Sequence, residues 1–442
     1  MSPIKKRRRA ARASRACAAA LAALCGPWLA ARGAEFSTVL RSSLVTNLAD
    51  AHPAPTDWPW WRGITRDNKA VETEPPLHWS STSNVVWKAS LPGRGHASPI
   101  LWGDRIFLAT ADETAATQSI LCLERSSGRQ LWQTQIHQGG FLKKHDNNSH
   151  ASATPACDGE RVYFPSLFDN ALWVTAVNLQ GQIVWQKKVG DFISSNGYGS
   201  SPVLYKSLVI VVSDNVGDAC LEALNRATGE VAWRVERPKL DNFCTPTLGD
   251  VCGRPQLLLC GSKMVASYDP ATGGKLWFFD SPTEVAACTM AFGTNLVVGS
   301  GNVPVREMIC ARADGSGNVT ATHSQWRSKK NVTYVPSPLI DGQRLYFVND
   351  GGIAYCLDLP TGDEIWKERL GGDFFSSPVL CAGRIYIANH DGVVFVLRAS
   401  DNFEVLAKND LAEESFSSPV ICGQRIYLRT AHTLFAIGNT SP

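Results

Sequence analysis

Residues 337–366 read SPLIDGQRLYFVNDGGIAYCLDLPTGDEIW, and this stretch decides the fold. It contains short apolar, β-branched and aromatic runs at 344–348 and 353–357, separated by Asp-Gly and Thr-Gly turns. Asp and Gly tolerate the positive φ that tight hairpin turns demand, and no run has helical period. The segment therefore predicts four short antiparallel strands, which need neighbouring units to bury their two faces.

The same pattern recurs along the chain. A Ser-Pro pair opens the segment at Ser337, and further pairs follow at offsets of 40 and 41 residues. Four-stranded units with this period are typical of β-propeller blades. The sequence predicts an all-β, eight-bladed β-propeller with four antiparallel strands per blade. The eight opening pairs are Ser98-Pro99, Thr154-Pro155, Ser201-Pro202, Thr245-Pro246, Thr289-Met290, Ser337-Pro338, Ser377-Pro378 and Ser418-Pro419.

A second anchor, Gly-x-x-x-Trp, closes most of the blades. The glycine allows a turn with positive φ, and the tryptophan then falls on the buried side of the fourth strand. Blade five departs most, because Met290 replaces the proline and Gly317 lies nine residues before its tryptophan. We expect seven tryptophans to have a structural role at the blades: Trp87, Trp132, Trp185, Trp233, Trp277, Trp326 and Trp366.

The last copy, 418–437, contains only three predicted strands, whereas residues 84–88 resemble a fourth strand with no blade before it. We predict that this N-terminal strand completes the last blade and closes the ring, which leaves no open sheet edge. The propeller would then occupy residues 84–438. Residues 35–83 form an arm that carries the Trp58-Pro-Trp-Trp-Arg-Gly segment, and we expect this cluster to pack the arm onto the domain, with ligand stacking as the alternative.

The first 34 residues predict an export signal. They combine eight Lys and Arg, no acid and the apolar run 16–25, which is too short to span a bilayer. We expect an exported bacterial protein of the periplasm or envelope; a lipid anchor at Cys25 and peripheral membrane association stay open. Without this segment 35 basic residues face 40 acidic ones, so a nucleic-acid partner is not expected.

The eleven cysteines after the leader give little sign of a disulfide framework. Cys122, Cys310 and Cys356 occupy a repeat position where other copies carry Ala, Ser or Val, which indicates small buried side chains. We expect most of the thiols to be free. A pair among Cys220, Cys252 and Cys260 stays open.

The loops that precede the opening pairs should meet around the central channel on one face. The longest, 138–152, is the most polar stretch of the body, and such loops on a rigid scaffold commonly bind partners. His145 and His150 lack a clear third ligand, so no metal site is predicted. No catalytic motif such as Gly-x-Ser-x-Gly is present. The binding candidates on this face are His96, Lys144, His145, His150, Tyr198, Asp241, Tyr334, Phe375 and Phe416.

The opening Ser-Pro pairs and the Thr-Gly-x-x-x-Trp ends resemble the pyrroloquinoline-quinone (PQQ) repeat family of eight-bladed propellers. The Trp58-Pro-Trp-Trp-Arg-Gly start is similar to exported, planctomycete-type PQQ-binding-like members. The resemblance implies that the tryptophans dock between adjacent blades. One branch contains dehydrogenases with PQQ, Ca²⁺ and an adjacent Cys-Cys disulfide, a dipeptide that this chain lacks. The other contains a cofactor-free scaffold subunit of the outer-membrane barrel assembly machine.

We therefore expect a monomeric, non-enzymatic propeller that binds a protein partner, a polymer or a small ligand on one face, without a cofactor. A PQQ- and Ca²⁺-dependent dehydrogenase of alcohols or sugars is one alternative. A propeller that binds carbohydrate or another small ligand is the other.

Overall fold

The computed structural model describes residues 41–45, 48–71 and 73–439, all within one compact unit of the chain. The predicted export signal lies outside the described residues. One short 3-10 helix, Ser42–Leu44, precedes the strands of the described part, and no helix there is long and apolar enough to cross a membrane. The strands form eight separate sheets, each with four antiparallel strands and one with an added fifth strand, which confirms the eight-bladed β-propeller.

Blades one to four follow one another along the chain, after β1 (Val85–Ser90). Blade one contains β2 (Ile100–Trp102), β3 (Arg105–Asp112), β4 (Thr117–Glu124) and β5 (Gln130–Gln138). Blade two contains β6 (Ala156–Cys157), β7 (Arg161–Phe168), β8 (Ala171–Asn178) and β9 (Ile183–Asp191). Blade three contains β10 (Val203–Tyr205), β11 (Leu208–Ser213), β12 (Cys220–Asn225) and β13 (Val231–Glu236). Blade four contains β14 (Thr247–Val251), β15 (Arg254–Gly261), β16 (Met264–Tyr268) and β17 (Lys275–Asp280).

Blades five to eight continue in the same order. Blade five contains β18 (Ala291–Phe292), β19 (Leu296–Gly301), β20 (Glu307–Arg312) and β22 (Ser324–Ser328), with β21 (Gly317–Asn318) inserted between the last two. Blade six contains β23 (Leu339–Asp341), β24 (Arg344–Val348), β25 (Ile353–Asp358) and β26 (Glu364–Arg369). Blade seven contains β27 (Val379–Cys381), β28 (Arg384–Ala388), β29 (Val393–Arg398) and β30 (Val405–Asp410). Blade eight contains β31 (Val420–Cys422), β32 (Arg425–Arg429) and β33 (Thr433–Ile437).

The N-terminal strand closes the ring as the sequence predicts. β1 pairs antiparallel with β33, with Trp87 opposite Ala436 and Ser90 opposite Thr433. Blade eight therefore has four strands, and its outermost strand comes from the opposite end of the described chain. This pairing satisfies backbone groups that a three-stranded blade would leave at an open edge.

The cores of the blades lie in their second and third strands. In blade three, every residue of β11 and β12 is buried, because both sheet faces pack against neighbouring blades. The fourth strands are more exposed, and in β26 Trp366 is the one buried residue. The middle strands therefore contain continuous apolar runs, because they are buried on both faces. The outer strands mix apolar and polar residues because they are partly exposed.

Tryptophans on the fourth strands join each blade to the next. Six of them donate the indole N–H to a backbone carbonyl of the following blade, at 2.8–3.2 Å. A Cβ at Gly229, whose φ is +73°, would lie 2.8 Å from the Trp185 ring of the preceding blade. The glycine is thus required by both its backbone conformation and this close approach. The six pairs are Trp87 to Arg125, Trp132 to Leu179, Trp185 to Arg226, Trp233 to Pro270, Trp326 to Leu359 and Trp366 to Ser400.

Trp277 departs from this arrangement. Its indole N–H donates to Oε1 of Gln256, within its own sheet, at 2.7 Å. The residue registered as the displaced glycine of blade five, Gly317, lies in β21, which pairs parallel with β17 as a fifth strand of blade four. Trp277 therefore does not donate the inter-blade hydrogen bond that the other six tryptophans donate.

Candidate functional site

The hydroxyl groups of the opening pairs form a ring around the central channel. At seven of the eight seams between blades, the backbone N–H of the opening Ser or Thr donates to the hydroxyl of the next blade's opening residue, at 2.8–3.1 Å. The seam between Thr245 and Thr289 has no such bond. The Ser or Thr of each opening pair is visible in the sequence. Its role as hydrogen-bond acceptor for the preceding blade depends on the geometry of the ring. The ring consists of Ser98, Thr154, Ser201, Thr245, Thr289, Ser337, Ser377 and Ser418.

The N-terminal arm crosses one end of this channel. Trp58 pairs with Leu101 of blade one, and Asn68 donates its amide to the carbonyl of Pro378 in blade seven at 2.9 Å. Between them, Arg62 is 1% exposed and donates to the carbonyls of Met290 (2.9 Å) and Pro338 (2.8 Å) in blades five and six. The arm therefore uses backbone carbonyls of several first strands as its docking surface.

The tryptophan-rich segment of the arm is the floor of the channel. Trp58 and Trp60 are buried, and the guanidinium of Arg66 lies 4.2 Å from the centre of the Trp60 ring. Trp61 lines the channel, and its indole N–H donates to the hydroxyl of Thr289 at 2.9 Å. The segment thus packs the arm onto the domain, while one indole remains available from the channel.

Above this floor lies a well of about 540 Å³. Its volume falls within the range of small-molecule sites, roughly 300–1,000 Å³. The eight residues of the hydroxyl ring line its lower part. One side of the mouth carries the aromatic residues Tyr334, Phe375 and Phe416 with His96. The other side carries His145, Asn147, Asn148 and Asn196.

The aromatic side of the mouth is a packed cluster. The His96 ring stacks on Phe416 at 3.9 Å, and the Phe375 ring stacks on Phe416 at 5.0 Å. Burial lowers the pKa of His96 to about 2, helped by the positive charges of Arg94 and Arg429. His96 is therefore a neutral side chain at physiological pH.

The polar loop at 138–152 is held by contacts within the same face. The amide of Asn148 donates to the carbonyl of Asn196 at 2.8 Å. Lys144 forms an ion pair with Glu113 at 3.2 Å, and His150 stacks on Phe141 at 3.9 Å. Loop contacts to blades one and two therefore position the asparagine side of the mouth.

Of the nine candidates from the sequence, the structure brings five to the well: His96, His145, Tyr334, Phe375 and Phe416. Lys144 and Asp241 do not line it, and burial raises the pKa of Asp241. His150 and Tyr198 border a separate small cavity. The Tyr198 hydroxyl donates to the carbonyl of Val212 at 2.9 Å, and burial raises its pKa.

Asp350 is a lining residue that the sequence analysis did not select. Its carboxylate accepts the backbone N–H groups of Tyr334 and Val335, both at 3.0 Å, and burial raises its pKa. The residue belongs to the Asp-Gly-Gly segment of blade six, which the sequence indicates only as a hairpin turn. Here the turn's side chain fixes the loop that carries Tyr334.

The described residues contain no group of three or more His, Cys, Asp or Glu side chains arranged to hold a metal ion. The charged or titratable side chains that line the well are His96, His145, Tyr334 and Asp350. The remaining lining groups are hydroxyls, amides and apolar side chains. This arrangement can bind a ligand by packing and neutral hydrogen bonds, and it shows no nucleophile paired with a base.

Comparisons with known proteins identify relatives of two kinds. A PQQ-type family model described as outer membrane protein assembly factor BamB matches residues 62–196 and 116–368. The chain is 25% identical over 300 residues to outer membrane protein assembly factor BamB of Bordetella pertussis, which covers 64% of this chain and 68% of that protein. It is 24% identical over 211 residues to a 1-butanol dehydrogenase (quinone) of Thauera butanivorans, covering 39% of this chain and 31% of the dehydrogenase. The quinohemoprotein alcohol dehydrogenase of Comamonas testosteroni has a similar fold, with a TM-score of 0.65 at 10% identity over 91% of this chain and 84% of that one.

Proposed function

This chain belongs to the PQQ-repeat β-propeller family, and we propose that it is a non-catalytic interaction module of the cell envelope that binds a protein partner on the open face of its ring. The export signal predicted for the first 34 residues supports an envelope location, as does the name of the Bordetella relative.

The observation that carries this proposal is a set of exposed apolar side chains around the mouth of the well. Ile193 is 57% exposed, Val216 50% and Val303 44%. Val303 lines the well, and Ile193 lies three residues before Asn196, which also lines it. The backbone N–H of Val216 donates to the carbonyl of Ile193 at 3.3 Å, so these two residues adjoin each other. Exposed apolar groups rimmed by polar residues are typical of protein-binding surfaces.

The topology of the blades places these residues on one face. In an antiparallel four-stranded blade, the segment before the first strand and the hairpin between the second and third strands lie at the same end. Val216 and Val303 occupy such hairpins, between β11 and β12 and between β19 and β20. The arm covers the opposite end of the channel with Trp58 and Arg62. A partner that docks on the open face would therefore meet the apolar rim and the polar loop together.

The quinoprotein alternative requires residues that fit PQQ and Ca²⁺. Ca²⁺ takes six to eight oxygen ligands, often carboxylates, and the well offers the single carboxylate of Asp350, already engaged by two backbone N–H groups. PQQ carries carboxylates, yet no Lys or Arg lines the well and His96 is neutral. These residues do not fit the pair, so no reaction step is assigned to it. A cofactor-free function therefore forms part of the proposal.

The partner proposal is tested by cross-linking the full-length protein in envelope preparations. We expect a specific adduct with the unmodified chain and its loss in the double variant Ile193→Asp/Val216→Asp. Val184→Asp is the matched control, because Val184 is 44% exposed on the outer strand β9, away from the rim. Equal adducts in all three proteins, or no adduct at all, would contradict the proposal.

A second candidate is supported by the well itself. Its volume of about 540 Å³, aromatic side and amide side would suit a small neutral ligand such as a sugar. Thermal-shift measurements with neutral sugars, and separately with PQQ plus Ca²⁺, distinguish the outcomes. A saturable shift with sugars that is lost in Phe375→Ala supports the second candidate, and a one-to-one shift with PQQ would contradict the fit argument above.

A further inference from the structure

Three buried thiols meet where blades four and five adjoin. Cys244 lies immediately before the opening pair of blade four, Cys288 immediately before that of blade five, and Cys260 lies in β15. All three side chains are buried. The sulfur atoms of Cys244 and Cys260 are 3.5 Å apart. The sequence analysis left open a pair among Cys220, Cys252 and Cys260, whereas the structure places Cys260 beside Cys244.

The ring architecture does not require this cluster. The positions equivalent to Cys244 in blades one, two and three are Ala97, Ala153 and Ser200. Cys288 donates its thiol proton to the carbonyl of Ser300 at 3.1 Å and also hydrogen-bonds with the Cys260 side chain, whereas the sulfur atoms of Cys244 and Cys260 lie 3.5 Å apart. Two of the three thiols are therefore placed for a bond to each other.

We propose that Cys244 and Cys260 form an intramolecular disulfide when the chain folds in an oxidising environment, and that Cys288 remains a thiol. One thiolate attacks a small-molecule disulfide, such as oxidised glutathione, to give a mixed disulfide and release one thiol. The second thiolate then displaces the other half of the oxidant, which forms the bond between the two Sγ atoms. Two protons and two electrons leave the protein, and the oxidant is reduced to two thiols.

The geometry requires a modest approach of the two sulfur atoms. A disulfide bond is about 2.05 Å long, so the two sulfurs need to approach by roughly 1.5 Å from their present separation. Burial raises the pKa of Cys244. The hydrogen bond with Cys244 lowers the pKa of Cys260, but the hydrogen bond with Cys288 and burial together outweigh it and raise that pKa. Thiolates are therefore scarce in the folded ring. The reaction is therefore expected during folding, before blades four and five close over the pair, rather than in the finished ring.

The bond would brace an irregular part of the ring. It would join the segment before β14 to β15, and the neighbours of Cys244, Phe243 and Thr245, both line the well. The adjoining seam lacks the hydroxyl link between Thr245 and Thr289 and the indole link of Trp277 to the next blade. A covalent bond here would brace the wall of the well beside the seam where these two repeated links are absent. Formation of this bond in the cell depends on the proposed envelope location, whereas the experiment below supplies its own oxidant.

The experiment is oxidative refolding of the full chain in a glutathione redox buffer, followed by alkylation and peptide mass mapping. We expect a protein about 2 Da lighter than the reduced form, with one linked peptide pair that contains Cys244 and Cys260. Cys288→Ser and the control Cys310→Ser should keep the link, since the Cys310 thiol contacts the carbonyl of Leu359 instead. Cys244→Ser and Cys260→Ser should lose it.

Two results would overturn the proposal: complete alkylation of all described cysteines after refolding, or a link that includes Cys288. Mapping of the unmodified chain gives this answer even if a variant fails to fold. The melting temperature, measured with and without reductant, should differ in the unmodified chain and in Cys288→Ser but not in Cys244→Ser. The cross-linking experiment on the rim stays independent, because Ile193 and Val216 belong to blades two and three.

Discussion

Arg62 provides the sharpest measure of how the arm is attached to the ring. Its guanidinium donates to the carbonyls of Met290 and Pro338, and both carbonyls are buried with it. Replacement by Met keeps most of the aliphatic volume but leaves two buried carbonyls without a donor, at about 1–3 kcal/mol each. Removal of the charge offsets part of this loss of stability, because burial disfavours the charged guanidinium and lowers the pKa of Arg62 to about 10. That shift corresponds to about 3 kcal/mol of disfavoured charge.

The two carbonyls together lose about 2–6 kcal/mol and about 3 kcal/mol is returned, so we expect Arg62→Met to lower the free energy of unfolding by up to about 3 kcal/mol. Arg62→Ala should lower it by about 2 kcal/mol more than Arg62→Met, since Ala lacks the buried Cγ methylene, sulfur and methyl group of Met. Urea unfolding followed by tryptophan fluorescence measures both changes. Arg129→Met, at an exposed surface pair with Glu124, should leave the midpoint unchanged. An Arg62→Met protein as stable as the unmodified chain would refute the view that these carbonyl bonds hold the arm.

Closure of the ring, the hydroxyl ring and one buried histidine give three further expectations. Deletion of residues 80–90 removes β1 and should cause aggregation or severe loss of stability by size-exclusion chromatography, whereas a monomer with unchanged melting temperature would contradict the closure argument. Ser377→Ala leaves the backbone N–H of Ser337 without its acceptor and should lower the free energy of unfolding by about 1–3 kcal/mol in urea, with Ser377→Thr as the rescuing control. Burial lowers the pKa of His137 to about 4, so the unfolded chain binds the proton more strongly and stability should fall as pH drops from 6.5 towards 4. This term is about 2 kcal/mol between pH 7 and 5, and equal pH slopes for His137→Phe and the unmodified chain would contradict it.

The blade register could be predicted because local chemistry determines it. The turns at Asp341-Gly342 and Thr361-Gly362 each need a residue that accepts positive φ, and Gly342 and Gly362 have φ of +56° and +77°. The runs between these turns then have one register in which Tyr346 faces Cys356 and Cys356 faces Trp366. The closing strand at 84–88 was also visible, since a three-stranded last blade would leave an open edge.

The side chains of the well could be predicted only in part, because loop conformation decides which ones face inward. Tyr198 and Tyr334 occupy comparable loops before opening pairs. The Tyr198 hydroxyl is bound to a carbonyl of its own blade, whereas two N–H bonds from Tyr334 and Val335 to Asp350 position the other loop at the well. Such contacts join residues about fifteen positions apart and have no periodic signature in the sequence. The carbonyls that bind Arg62 have no sequence signature either, since any residue supplies a carbonyl.

The repeat that fits its pattern least adjoins the seam that lacks two repeated links, the hydroxyl bond between Thr245 and Thr289 and an inter-blade bond of the Trp277 indole. In the sequence, blade five lacks the proline after Thr289, and its glycine is displaced to position 317. In the structure, Gly317 has left the usual turn to pair with β17, so no glycine of blade five receives the Trp277 ring, and the indole N–H remains with Gln256. The displaced glycine accompanies the altered tryptophan: at five seams the indole packs against a glycine of the next blade, whereas Trp366 keeps its bond to the carbonyl of Ser400 without one. The three thiols lie beside this same seam, and a disulfide between Cys244 and Cys260 would add a covalent bond within blade four at its border with blade five.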